Sequence, residues 1–316
     1  MDIQTKVISS FAVLVALICL AMMLRRLGLV KEEHGALFSK LVTHVTLPAL
    51  IFVSLAKSIL HWEYALLALI MLAAEIACLV LAWLVGRQMR LPPPQLGALS
   101  LTAGFGCSAL LGYAVISQVY GGDVQAIAEA VVISELGVGP ALFTLGTMIA
   151  MYFGSGHEVA GGRVAEAMQF FRSPIFVAVL AGLAWSTLRL PTDTGFVNVA
   201  FQAIGVLGSA NTLLVAMTVG GLLHFQGLRS TLPLVAVACA IKLLIKPLMV
   251  WLPSLAFDLS AIQIQILVLE AAMPSALLTV VLANTYGCDG KLASKLVFAT
   301  AVVSTATVVA IFSLLT

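Results

Sequence analysis

LVLEAAMPSALLTVVLANTYGCDGKLAS, residues Leu267 to Ser294, reads as an apolar helix interrupted in its middle by Pro274. A proline inside a helix has no N–H for the carbonyl four residues back, so it leaves a backbone acceptor open. Hydrocarbon cannot satisfy that acceptor, whereas a polar cavity, an ion or a ligand can. Glu270 lies one turn before the proline. A carboxylate and free backbone dipoles therefore converge in the centre of an apolar stretch. Proline kinks without a ligand are common in membrane helices, and the adjacent glutamate is what makes this one a candidate site.

The rest of the chain supplies the membrane. Of 316 residues, 61% are hydrophobic and 9% charged, against roughly 25% charged in a soluble domain. A water-facing surface cannot be built from that inventory. Crossing about 30 Å of hydrocarbon takes roughly 20 residues of helix, and ten apolar segments qualify. They cover residues 7–25, 35–57, 62–86, 95–119, 124–153, 172–189, 196–225, 231–255, 260–286 and 291–315, and are called segments 1 to 10. No soluble domain fits between them. The expected fold class is an all-α polytopic membrane protein. Residues 1–155 form a first five-helix repeat, 156–171 a short cytoplasmic linker and 172–316 a second repeat.

Loop charges set the orientation. One alternate set of loops holds Arg25, Arg26, Lys31, Arg87, Arg90, Arg163, Arg172, Arg229, Lys291 and Lys295, while the other holds Lys6, Lys57 and Arg189. Lys and Arg concentrate on the cytoplasmic side, so both termini are expected outside the cytoplasm, in a multi-pass protein of the inner membrane. Trp62, Trp83, Trp185 and Trp251 fall near segment ends, where amphipathic rings sit at the headgroup level. The first apolar run lacks a small-residue cleavage site and reads as a retained helix. Cys19, Cys78, Cys107, Cys239 and Cys288 show no C-x-x-C pairing, which argues against a zinc site or disulfide framework. The net charge is +2, with basic residues single or paired, and nucleic acid is excluded as a partner. No cofactor is expected.

Five helices per half invert the second copy relative to the first, an arrangement found in many secondary transporters. Matched features recur at about 163 to 168 residues: Pro48 against Asn211 and Thr212, and Gly104 to Ser108 against Met273 to Ser275. Segment 4 carries its own interruption in LTAGFGCSALLGY, from Leu101 to Tyr113, where Gly104, Gly106 and Gly112 loosen the helix. Paired interrupted helices in corresponding places of two halves point to a binding site. The candidate substrate set is therefore Gly104, Gly106, Cys107, Ser108, Gly112, Asn211, Thr212, Met273, Pro274 and Ser275. A charge near the bilayer centre costs about 2.5 to 3.5 kcal/mol on insertion scales, so Glu75, Glu135, Lys242 and Glu270 are the candidate coupling residues. Glu75 and Lys242, 167 residues apart, are expected as an ion pair or as matched polar anchors. The long stem of Lys246 allows it to snorkel outward past Trp251.

Three stretches resemble the auxin efflux carrier family of permeases, bacterial type, of the superfamily that also contains bile acid sodium symporters. They are LPALIFVSLAKS from Leu47 to Ser58, SPIFVAVLAGLAW from Ser173 to Trp185, and AMPSALLTVVLANTYGCDGKLAS in segment 9. The resemblance implies a five-plus-five inverted repeat in which helices 4 and 9 cross at the substrate site. It also implies a scaffold of helices 1, 2, 6 and 7, a moving core of helices 3–5 and 8–10, homodimers through the scaffold, and transport of carboxylates. Glu270 with Met273 is similar to the glutamate stretch that holds sodium in the bile acid symporters, and Ser108 falls near their helix 4 ligands. The coupling ion is thus a proton or sodium near Glu270 and Ser108. Cys107 stands where plant members carry asparagine, Ala114 where they carry the crossover proline, and Asn211–Thr212 where they carry proline–leucine.

The expected activity is secondary transport of a small organic anion, with the bile-acid type of sodium symport as the alternative. Intramembrane enzymes need a nucleophile, a metal cluster or paired aspartates, and no H-E-x-x-H or similar constellation occurs. A receptor or a purely structural protein leaves the midplane charges unexplained. The charge asymmetry predicts that a cysteine placed at Ser155 reacts with a membrane-impermeant reagent in inverted vesicles only. Labelling of that site in intact cells reverses the orientation.

Overall fold

The computed structural model describes residues 16–315 except 18, 58–63, 113, 114, 117, 118, 121, 122, 155–171 and 223–227. Most of segment 1 and the 156–171 linker lie outside the described residues. Among the described residues the chain is helical throughout, with one isolated β-bridge and no strand.

Among the described residues, five helices are long and apolar enough to cross a membrane: Ala65–Gln88, Gln125–Phe153, Gly195–Thr218, Thr231–Ser254 and Gly290–Leu314. Shorter apolar helices include Val42–Lys57, Pro174–Thr187 and Ala261–Ala272. Ala65–Gln88 shows why these helices need lipid. Leu69, Ile76, Val80 and Leu84 form one exposed stripe at spacings of seven and four, while Leu67, Met71, Ala74, Cys78 and Ala82 are buried on the other face. A helix apolar all round belongs in a membrane. Leu69 is 60% exposed, a surface that water would not tolerate as one of many.

Helix starts are written into the sequence as caps. Asp123, Ser173, Ser260 and Asp289 accept backbone N–H groups from Ala126 (2.8 Å), Phe176 (3.2 Å), Gln263 (3.2 Å) and Leu292 (2.9 Å). Gln263 returns the favour to the Ser260 N–H at 3.0 Å, closing a capping box. Proline placement accounts for three of the five π-helical turns among the described residues. Three π-helical stretches, Val42–Thr46, Ile133–Val138 and Ala240–Ile245, lie just before Pro48, Pro140 and Pro247. Each proline cannot bond the carbonyl four residues back, and the preceding turn widens.

Packing gathers the helices into two groups. Leu47–Lys57, Pro174–Thr187 and Gly195–Leu222, from segments 2, 6 and 7, pack on one another. Phe52, Trp185 and Phe201 interlock there, with ring centroids 5.4 to 5.9 Å apart, and the Thr46 hydroxyl donates to Asn211 Oδ1 at 3.0 Å. Segments 3, 4, 5, 8, 9 and 10 form the other group. The two meet where Leu278–Thr285 touches Glu32–Leu41 and Gly195–Leu222, where Gly290–Leu315 touches Gly195–Leu222, and where Pro174–Thr187 touches Leu142–Gly146.

Gly182 fixes the spacing of segments 2 and 6. A Cβ there would stand 2.8 Å from Leu55 Cβ and 3.3 Å from the Phe52 carbonyl. Gly182→Leu is expected to cost about 1–3 kcal/mol through overpacking, read as a lower midpoint in detergent thermal unfolding. An unchanged midpoint means that the helices separate freely at this point.

Candidate functional site

Both interrupted helices are broken in the structure, and the breaks pair. Pro93–Gly104 gives way to extended backbone at Phe105 (φ −90°, ψ 136°), and the chain recoils in the π-helical turn Ser108–Gly112. Ala261–Ala272 gives way at Met273 (φ −60°, ψ 146°) and resumes as Leu278–Thr285. Gly106 and Ser275 form an antiparallel bridge. The Cys107 N–H donates to the Pro274 carbonyl at 2.8 Å, and the Ala276 N–H to the Phe105 carbonyl at 3.0 Å. Each break thus supplies the backbone partners that the other has lost. Side chains complete the joint. Ser275 Oγ donates to the Thr102 carbonyl at 2.6 Å, and the Ser275 N–H donates to Thr300 Oγ1 at 3.2 Å. The Ser108 and Ser134 hydroxyls lie 3.2 Å apart.

Two lysines of segment 8 close the carbonyl ends of the broken helices. Lys242 Nζ donates to the Ala271 carbonyl at 3.3 Å and Lys246 Nζ to the Gly104 carbonyl at 3.2 Å. Both lysines are fully buried. A helix C-terminus carries partial negative charge and unbonded carbonyls, and an ammonium answers both.

The expected Glu75–Lys242 ion pair is not formed. Glu75 pairs with Lys246 through Oε1, and Lys246 points inward rather than snorkelling. Lys242 and Lys246, four residues apart on segment 8, lie on one face of the helix. The nearer carboxylate neutralises the second of them, while Lys242 is taken by the segment 9 break.

The glycines of segment 4 serve clearance more than loosening. A Cβ at Gly104 would run into Leu79, and one at Gly112 into the Glu270 carboxylate. One at Gly106 would stand 2.8 Å from Lys242 Nζ. Glu270 is buried, and neither of its carboxylate oxygens has a hydrogen-bond partner among the described groups. Met273 is buried in the break. The structure thus brings together Gly104, Gly106, Cys107, Ser108, Gly112, Glu270, Met273, Pro274 and Ser275, with Lys242 and Glu75 beside them. Asn211 is held by Thr46 between segments 2 and 7. The side chains of Glu135 and Thr212 lie outside the described residues.

A family model described as membrane transport protein matches residues 6–160 and 165–312. The chain belongs to this family. The resemblance to auxin efflux carriers is borne out with it. Relatives of this transporter include an uncharacterized transporter of Methanothermobacter thermautotrophicus, 29% identical over 91% of both chains. Another, of Methanocaldococcus jannaschii, is 26% identical over 86% of this chain and 87% of its own. The uncharacterized transporter YfdV of Escherichia coli is 23% identical over 81% and 80%. The protein is an integral membrane transporter and not an enzyme.

Sequence reading set Lys246 aside as snorkelling and missed Glu129, Thr102 and Thr300. Lys246 was readable as a second cation one turn beyond Lys242. Glu129, buried in segment 5, accepts from Gln125 Nε2 at 3.1 Å and Gln263 Nε2 at 3.3 Å, and a carboxylate inside an apolar segment was its signal. Thr102 and Thr300, as ordinary helix residues, gave none.

Lys246→Met is expected to cost about 3–5 kcal/mol, because it strands the buried Glu75 carboxylate. Removing both charges, as Glu75→Met with Lys246→Met, should cost less than the single change. Thermal unfolding of the three proteins decides, and a double variant no more stable than the single one denies the pair this role.

Proposed function

We propose that this transporter moves a small organic anion across the inner membrane by alternating access, coupled to a proton or sodium ion at Glu270. The observation that carries the reading is the pairing of two broken helices around a buried, unpartnered carboxylate. Broken helices at the centre of a membrane protein concentrate backbone dipoles where a ligand can use them. The small residues of both breaks, Gly106, Cys107, Ser108 and Ser275, allow a carboxylate close to backbone groups.

In this reading the ten segments all span, as two inverted repeats, residues 1–155 and 172–316, joined by 156–171, with both termini outside the cytoplasm. Segments 1, 2, 6 and 7 are the scaffold and the homodimer contact, and segments 3–5 and 8–10 are the moving core. The two packing groups of the fold support that division. Cys107 and Pro274 are 167 residues apart, as are Glu75 and Lys242, which supports a repeat whose halves cross at the Cys107–Pro274 bond.

Sodium symport of the bile-acid type is the second reading, favoured by the free carboxylate oxygens of Glu270, which suit a hard cation as well as a proton. Uptake of labelled carboxylates into proteoliposomes, driven in turn by a pH gradient and a sodium gradient, separates the two. Glu270→Gln should abolish gradient-driven accumulation and retain a folded protein. Accumulation at the wild-type level in that variant removes Glu270 from coupling.

A further inference from the structure

We infer that Lys242 is the residue that makes this transporter select anions, holding the carboxylate of its substrate at the helix crossing; this rests on the anion-transport reading above. Among the described residues, Glu75, Lys242, Lys246 and Glu270 are buried acidic and basic side chains beside the crossing. They are not equivalent. Lys246 is neutralised by direct contact with Glu75 and also tied to the Gly104 carbonyl. Lys242 has no carboxylate partner within salt-bridge distance among the described residues, and its hydrogen bond goes to a neutral backbone carbonyl, that of Ala271. An ammonium has three N–H donors, so one bond to Ala271 leaves donor capacity for a ligand.

Its position is the second argument. Lys242 Nζ lies 2.8 Å from where a Gly106 Cβ would be. The ammonium thus sits directly over the backbone of the segment 4 break, the middle residue of the antiparallel bridge. Only a hydrogen atom at residue 106 leaves that place open. The group therefore faces the crossing from the segment 8 side, while Ser108 and Ser275 border it on the chains that cross.

Charge balance gives the third. A buried ion asks for a counter-ion far more strongly than an exposed one. With Lys246 matched to Glu75, the charge left to balance Lys242 is that of Glu270. When the coupling cation occupies Glu270, Lys242 becomes the net positive charge of the crossing, and a substrate carboxylate is what neutralises it. Cation and anion then load together. Lys242 keeps its bond to Ala271 or exchanges it for the ligand, which ties substrate occupancy to the end of the broken helix in segment 9.

The test uses the purified full-length protein in detergent, with lactate, succinate and phenylacetate as probes and their uncharged amides as controls. Binding is read by ligand-induced thermal shift and confirmed by calorimetry. Wild type should bind at least one carboxylate and discriminate against its amide. Lys242→Gln keeps a hydrogen-bond donor for Ala271 without the charge. It should lose carboxylate affinity by roughly a hundredfold, the scale expected when one partner of a buried charge pair is removed, and bind acid and amide alike. Equal preference for the acid in wild type and Lys242→Gln overturns the assignment while leaving anion transport standing. No binding of any carboxylate by wild type removes the underlying reading, and the assignment with it. Should Lys242→Gln fail to fold, Gly106→Ala decides, since a methyl group there intrudes on the ammonium. Reduced carboxylate affinity with unchanged amide affinity supports Lys242, and unaltered carboxylate affinity overturns it.

Discussion

A helix that stops inside a membrane must find partners for the carbonyls at its end, and in this protein that requirement is met twice from a single neighbouring helix. Lys242 and Lys246 bond the terminal carbonyls at Ala271 and Gly104. Without those ammonium groups, two broken helices would present open acceptors to an apolar interior, at a cost of about 1–3 kcal/mol for each unsatisfied group. Much of the surrounding arrangement follows. Glu75 is buried because Lys246 needs a counter-charge. Gly104 and Gly106 lack side chains because Leu79 and Lys242 occupy the space a Cβ would take.

The breaks themselves are joined rather than merely adjacent. Reciprocal N–H to carbonyl bonds link Cys107 with Pro274 and Ala276 with Phe105, so the extended residues of each chain are ordered by the other. Neither break is a local accident of its own sequence. A change in one alters the hydrogen bonding of the second, which makes segments 4 and 9 a single mechanical unit. Glu270 is set against Gly112 on this unit, where a change in its charge acts on both chains at once.

Much of this was legible in the sequence. The Pro274 interruption, the glycine-rich interruption opposite it and the isolation of Glu270 in apolar surroundings all follow from residue types and spacing. The partner of Glu75 was not. Lys242 and Lys246 are four residues apart and equally apolar in their neighbourhood, and which of them meets Glu75 depends on how segments 3 and 8 lie together. Glu129 shows a different difficulty: its bonds to Gln125 and Gln263 depend on how segments 5 and 9 lie together, and the chain encodes that only through side-chain packing. The glycines of segment 4 were visible as small residues, but what they make room for belongs to segments 3, 8 and 9.

The π-helical turn before Pro247 contains Lys242 and is capped by Lys246. Such a turn holds more residues per revolution than an α-helix does. Loss of one residue there is absorbed as the turn tightens to α-helix, so the helix beyond keeps nearly its present phase. The turn is thus slack held within segment 8, and the reach of Lys246 to Gly104 tolerates a change of one residue there better than it would in a regular helix.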